Sequence, residues 1–143
     1  AALCAEFGIQ VFLAHARVVQ AWCDCGASND RAHRQDLLDR IDDFLALGAR
    51  CFVPLWESHV AEAQLDGGGL GECAALLERM ARNVAATGET WAQAEFHRVR
   101  ARWLRAMQAT PEAVEAEFAL GERDARAIGS REWERRIARS RAS

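Results

Sequence analysis

The chain of 143 residues contains no lysine, no tyrosine and only two prolines. Its 18 basic residues are all arginine, which we interpret as a bias toward GC-rich codons rather than as a device for phosphate recognition. Long stretches consist of Ala, Leu, Glu and Arg, which are favourable in helices. Few windows show the alternation of β-branched and aromatic residues that strands prefer. The composition therefore predicts an all-α protein.

The sequence also lacks the features of a membrane, secreted or nucleic-acid-binding protein. No apolar run approaches the roughly 18 residues that span a bilayer, and no signal peptide leads the chain. The formal net charge of −3 is too small to predict binding to nucleic acid or to a membrane. Five cysteines, an odd number at scattered positions, suit a reducing cytoplasm better than a disulfide framework. We expect a cytoplasmic protein that forms one domain over residues 1–143.

Motifs for metals and phosphates are absent as well. There is no C-x-x-C or H-E-x-x-H pattern, and Cys23 and Cys25, two apart in a predicted helix, face nearly opposite ways. Cys51 and Cys73 are predicted to be small buried residues. The run Gly67-Gly68-Gly69 lacks the Lys and Ser/Thr of a phosphate loop and reads as a hairpin loop. We therefore expect no metal and no cofactor.

A repeat of about forty residues is the strongest pattern present. Glycines recur at intervals of 40, 40 and 41 residues, and an aromatic residue follows each one by three or four positions. The glycines are Gly8, Gly48, Gly88 and Gly129, and the aromatic residues are Phe12, Phe52, Trp91 and Trp133. A fixed period of this size is typical of helical repeat arrays. The predicted units are 8–47, 48–87 and 88–128, with a truncated fourth from 129.

Each unit is predicted to be a pair of antiparallel helices. The first helices are expected just after the glycines and the second helices after a loop, at 9–25 and 31–47, 50–65 and 71–87, 90–107 and 111–128, with a further helix from 130. Each glycine can close the preceding helix in a left-handed conformation. Thr110 can cap the last second helix, with Pro111 at its first position. Alanine recurs where the paired helices should cross closely, at positions 21, 61 and 101.

Two stretches carry a resemblance to a known family. They are Gly88-Glu89-Thr90-Trp91 with Ala94 to Arg100, and Phe118 with Ala125-Arg126-Ala127 through Trp133-Glu134. In these stretches the chain resembles tetratricopeptide-like repeats, as found at the C-terminus of bacterial multidomain predicted ATPases fused to adenylate/guanylate cyclase or LuxR-type regulator domains. The resemblance implies a non-catalytic regulatory or scaffold module for signalling or transcription regulation. The chain has no initiator Met, and both its ends have helical character, so we expect a fragment of a larger protein.

In tetratricopeptide-like arrays the first helices line a concave groove, which makes their exposed stripes the candidate binding site. The stripes are His15, Val18 and Trp22, then Leu55, Ser58, Glu62 and Leu65, and finally Glu95, Arg98, Arg102 and Arg105. The third stripe either receives an acidic peptide or a neighbouring domain, through arginine–carboxylate pairing, or is solvated surface. The expected partner is a protein or another domain of the parent, with self-association possible. The alternative function is a sensor that holds a small-molecule inducer in the groove.

Glu95, His97 and Arg98 could also be read as a catalytic constellation. Neighbours on one helix point in different directions, since each residue turns the helix by about 100°. A structural network is the preferred interpretation, with Glu95 and Arg98 meeting at a spacing of i, i+3. We therefore expect no enzymatic activity in this chain.

Overall fold

The computed structural model describes residues 9–28 and 30–143, and that part of the chain is all-α, as the composition predicts. No strand occurs within these ranges. The helices are α1 (Gln10–Ala27), α2 (Arg31–Ala46), α3 (Val53–Asp66), α4 (Leu70–Thr87), α5 (Gln93–Ala106), α6 (Pro111–Ala127) and α7 (Arg131–Ala142). None of the described helices combines the length and apolar character needed to cross a bilayer.

Helix positions agree with the predictions at most boundaries, but α3 and α5 each begin three residues later than expected. Before α3, Phe52 adopts a left-handed conformation with φ of 65°, and a carboxylate oxygen of Glu89 accepts its backbone N–H at 2.9 Å. Before α5, residues 91 and 92 form a turn. The two turns separate the closing glycine from the following helix, so the prediction that each first helix starts directly after its glycine is wrong for α3 and α5.

The predicted helix ends and the predicted cap are confirmed. Gly48, Gly88 and Gly129 have φ values of 78°, 69° and 69°, in the left-handed region where a side chain is strained. Gly8 lies outside the described residues. Thr110 accepts the backbone N–H of Ala113, and Pro111 is the first residue of α6.

Helices that follow each other in pairs share the most extensive contacts, α1 with α2, α3 with α4 and α5 with α6. Further contacts join α3 to α5 and α5 to α7. The recurrent Ala21, Ala61 and Ala101 are all buried, in agreement with a close helix crossing. The tightest approach at a helical glycine is at Gly121 of α6, where an added Cβ would lie 3.1 Å from the carbonyl oxygen of Ala94.

Aromatic rings from successive units pack on one another near the starts of α3, α5 and α7. Phe52 and Trp91 meet edge to face at 5.6 Å between ring centroids, and Trp91 stacks on Trp133 at 5.7 Å. The two tryptophans are therefore packing anchors between successive units. At the α1 end, Phe12 remains 65% exposed.

The cysteines follow the predictions with one exception. Cys23 is exposed and Cys25 buried, so they do face different ways. Burial raises the pKa of Cys73 to about 11, which suits an unreactive core residue. Cys51 is exposed, so the prediction of a buried residue is wrong there, because it lies in the turn before α3 rather than inside a helix. Cys4 lies outside the described residues.

Candidate functional site

The eleven predicted groove residues divide into a buried group and a surface group. Val18, Ser58, Glu95 and Arg98 are buried. Arg105 is exposed, and the remainder are half-buried: His15, Trp22, Leu55, Glu62, Leu65 and Arg102. The buried group cannot touch a partner at the surface of this fold. For Arg98 this corrects both sequence-based readings, solvated surface and direct peptide receptor.

Arg98 is instead the centre of an ion network between α3, α5 and α7. Its Nε and Nη2 donate to the two carboxylate oxygens of Glu95 at 2.9 and 2.8 Å. The same Nη2 lies 2.6 Å from Oε2 of Glu62, and Nη1 donates to Oγ of Ser140 at 2.9 Å. The expected pairing of Glu95 with Arg98 at i, i+3 is confirmed. The side chain of Arg98 is only 3% exposed, so its charge is stabilised entirely by these neighbours.

Arg136 of α7 joins the two carboxylates from the other side. Its Nη2 lies 2.8 Å from Oε1 of Glu95 and 3.1 Å from Oε2 of Glu62. Arg102 completes the network, donating to Glu62 at 2.5 Å and to Asp66 at 2.6 Å. The network thus pairs three guanidinium groups with three carboxylates. Sequence reasoning did not identify Arg136 as a member.

The network fixes the charge state of its members. Burial alone would raise the pKa of Glu62, but the hydrogen bond from Arg98 and the charges of Arg98, Arg102 and Arg136 outweigh it and lower that pKa to about 2. Burial alone would lower the pKa of Arg98, but hydrogen bonds to Glu95 and Glu62 outweigh it and raise that pKa. Both groups are therefore ionised throughout the physiological pH range.

Arg105 has a structural partner as well. Its two terminal nitrogens donate to the backbone carbonyls of Ser140 and Arg141 at 2.9 and 3.2 Å, at the C-terminus of α7. A cation at this end of a helix is favourable because the last carbonyls are otherwise unpaired. The guanidinium also lies 5.3 Å above the ring centroid of Phe118. Much of the basic stripe thus serves to dock α7 onto α5.

Above the network, side chains of α1, α3 and α5 form an open depression that we call the α1–α3–α5 groove. At one end Trp22 stacks on His59 with 4.8 Å between ring centroids, over a cavity of about 230 Å³ that Glu62 and Asp66 also line. At the other end a cavity of about 380 Å³ is lined by Leu65, Asp66, Arg102, Arg105, Ala106 and Ser143. Asp66 belongs to both cavities and connects them.

A metal ion does not fit this site, although three possible ligands converge there. Ligand atoms of His59, Glu62 and Glu95 lie within 4.8 Å of one another. Arg98 and Arg136, however, both bridge the two carboxylates at 2.6 to 3.1 Å, and a cation would have to displace them. Burial is the main cause that lowers the pKa of His59, and the nearby carboxylate of Glu95 opposes it. We therefore interpret the cluster as a charge network around a neutral imidazole.

His97 points away from the network, so the possible catalytic constellation does not converge. Its Nδ1 lies 2.8 Å from Oε2 of Glu117, and its Nε2 lies 3.5 Å from a carboxylate oxygen of Asp124, both on α6. Glu95 and Arg98 face α3 and α7 instead. The three residues thus belong to two separate structural networks.

Comparisons of the chain with protein-family models, with curated proteins and with solved structures returned no match.

Proposed function

We propose that this chain is a non-catalytic, tetratricopeptide-like repeat module that binds a segment of a protein partner in the α1–α3–α5 groove. In the context that the resemblance implies, the partner is a protein or another domain of a bacterial signalling or transcription-regulating polypeptide, and the module works in the cytoplasm. The proposal extends the all-α fold to an array of antiparallel helix pairs with a period of about 40 residues.

The contacts between helices support a curved array. Helix α3 packs on α5 and α5 packs on α7, and Trp22 of α1 stacks on His59 of α3. Among the described residues no extensive contact joins α2 to α4 or α4 to α6, and Arg79 of α4 reaches Asp42 of α2 through an ion pair of 2.6 Å. An array that is packed closely on one side and loosely on the other curves toward its closely packed side. The odd-numbered helices would then line the concave surface, where repeat proteins of this kind bind partners.

The main support for the proposal is that the groove has accessible side chains on a base of buried ion pairs. Half-buried and exposed side chains, among them Trp22, Asp66 and Arg102, lie on a base that the buried ion pairs of Arg98 hold in one arrangement. Such preorganisation lowers the entropic cost of binding. The groove offers an aromatic ring at one end and charged groups of both signs at the other, which suits a peptide with one apolar anchor and polar flanks.

The alternative function, a small-molecule sensor, is favoured by the aromatic cavity beside Trp22 and His59. That cavity measures about 230 Å³, below the roughly 300–1,000 Å³ of most small-molecule sites, so a side chain of a peptide fits it better than a complete metabolite. Native mass spectrometry of the purified chain separates the two functions. An added mass that disappears on denaturation would favour the sensor.

Selection of peptides from a random display library tests the proposed function directly. The wild type should enrich peptides with a shared motif, and Trp22→Ala and Asp66→Ala should each weaken their binding at least tenfold. Arg82→Ala is the control, because Arg82 is 70% exposed on α4 and outside the groove. Circular dichroism must show that every variant remains helical. Selected peptides that bind the groove variants as tightly as the wild type would refute the groove as the site.

A further inference from the structure

A second concave region lies on α4 and α5, away from the α1–α3–α5 groove. One cavity of about 340 Å³ is lined by Ala74, Leu77, Glu78, Ala81, Phe96, Arg100 and Trp103. An adjoining cavity of about 280 Å³ is lined by Ala81, Val84, Ala85, Gln93, Phe96 and His97. Because Ala81 and Phe96 line both, the two cavities form one depression, which we call the α4–α5 trough.

The surface of the trough is mostly apolar and its shape is elongated. From Trp103 to Gln93 it follows nearly three turns of α5, a distance of roughly 15 Å at 1.5 Å per residue. Trp103 donates its indole N–H to the carbonyl oxygen of Leu70 at 3.0 Å, so its polar atom is satisfied and its ring is left as apolar surface. An elongated apolar ligand would remove this surface from water.

The corresponding face of the preceding unit is closed. Trp56 and Val60 lie forty residues before Phe96 and Arg100, and both are fully buried in the core formed by α1 to α4. At the later positions Phe96 is only half-buried and Arg100 is exposed. The trough therefore arises where a buried apolar residue of one unit is replaced by an exposed cation in the next.

Arg100 gives the trough a positive charge between Trp103 and Phe96. It bonds to Oε1 of Glu117 through Nη1 at 3.1 Å, and its side chain remains 44% exposed. A guanidinium has five N–H donors, so several remain for a ligand. Glu117 is also held by His97 at 2.8 Å, and Glu78 on the rim lies 3.9 Å from Arg82 of its own helix. The cationic partner of Glu117 is thus Arg100 itself, and that of Glu78 is Arg82.

From this geometry we propose that the α4–α5 trough binds a free medium-chain monocarboxylate, with its carboxylate on Arg100 and its alkyl chain along Phe96 toward Val84. Charge complementarity at Arg100 selects an anion, and the apolar, elongated lining selects an unbranched alkyl chain. The site goes beyond the proposed peptide groove and does not depend on it.

Isothermal titration calorimetry of the full chain with decanoate tests the proposal. We expect one decanoate per chain with a dissociation constant of about 1 mM or tighter, given the small number of ligand atoms. Arg100→Gln should weaken binding about tenfold or more, because a charge-assisted pair is lost. Ala81→Phe should abolish binding, because the ring fills the part that both cavities share. Arg135→Gln changes an exposed arginine of α7 that lines neither cavity, so this variant should bind decanoate like the wild type.

Decanol tests the burial of the alkyl chain separately from the charge pairing at Arg100. It carries the same alkyl chain without the charge, so it should bind the wild type and Arg100→Gln equally. Absence of saturable decanoate binding to the wild type would overturn the proposal. Binding that survives Ala81→Phe would also overturn it, because that result would mean adsorption outside the trough. So would an equal loss in Arg100→Gln and Arg135→Gln, because that result would mean general charge attraction.

Discussion

Replacing Arg98 by methionine is the sharpest test of the buried charge network. Methionine keeps an unbranched side chain of similar length but removes the guanidinium that bonds Glu95, Glu62 and Ser140. Glu95 is completely buried and keeps one cation, Arg136, at 2.8 Å. Breaking a buried ion pair by removing one partner costs about 3–5 kcal/mol. Because Arg136 remains, we expect the free energy of unfolding to fall by about 3 kcal/mol.

Urea denaturation followed by circular dichroism measures this loss. For a chain of this size, about 3 kcal/mol also corresponds to a fall in melting temperature of roughly 10 °C. Arg135→Met is the matched control, because Arg135 is 66% exposed and, within the described part of the chain, its one ion pair is with Glu132 on its own helix. Exposed pairs of this kind contribute little, so the control should change the free energy of unfolding by about 0.5 kcal/mol or less.

A second variant separates the lost pair from lost packing. Adding Glu95→Gln to Arg98→Met removes the buried charge that has lost one of its cations. The free energy of unfolding of the double variant should therefore exceed that of Arg98→Met by about 1 kcal/mol or more. If Arg98→Met and Arg135→Met unfold at the same urea concentration, the network does not stabilise the fold, and the assigned role of Arg98 is wrong.

Two further predictions concern the turns and the pH dependence of the fold. Gly88→Ala should destabilise the fold by about 1–2 kcal/mol, because the φ of Gly88 is 69°. Gly71→Ala, in α4 with open space around it, should stabilise the fold by about 0.5–1 kcal/mol in the same urea assay. Effects of equal sign would contradict the conformational argument. Since the pKa of Glu62 falls from its ordinary value of 4.5 to about 2, its contribution to stability, on the order of 3 kcal/mol, is present above pH 4.5 and is lost as the pH falls toward 2. Glu62→Gln should flatten the urea stability curve over that interval, and an unchanged slope would contradict the shift.

The features of the fold that local chemistry determines could be read from the sequence. Gly88 and Gly129 close helices in the left-handed conformation, and Thr110 caps α6, because each effect depends on residues only a few positions away. The late start of α3 could not be predicted in the same way. It depends on the bond from the backbone of Phe52 to Glu89, which lies 37 residues further along the chain.

In the candidate site, too, the local contacts could be predicted from the sequence and the contacts between distant helices could not. The pairing of Glu95 with Arg98 follows from their spacing on one helix, but the burial of both depends on how α7 packs against α5, and helix packing angles are not encoded in local spacing.

One signal in the sequence does identify Arg136. It lies 41 residues after Glu95, the interval that separates Gly88 from Gly129, and Glu95 lies forty after Leu55, so one repeat position changes from an apolar residue to an anion and then to a cation. A cation at an inward-facing position needs an inward-facing anion, and Glu95 is the fully buried carboxylate that lies 2.8 Å from it. A repeat position that changes from apolar to charged can therefore indicate a network between units, provided that its partner is sought in the neighbouring unit.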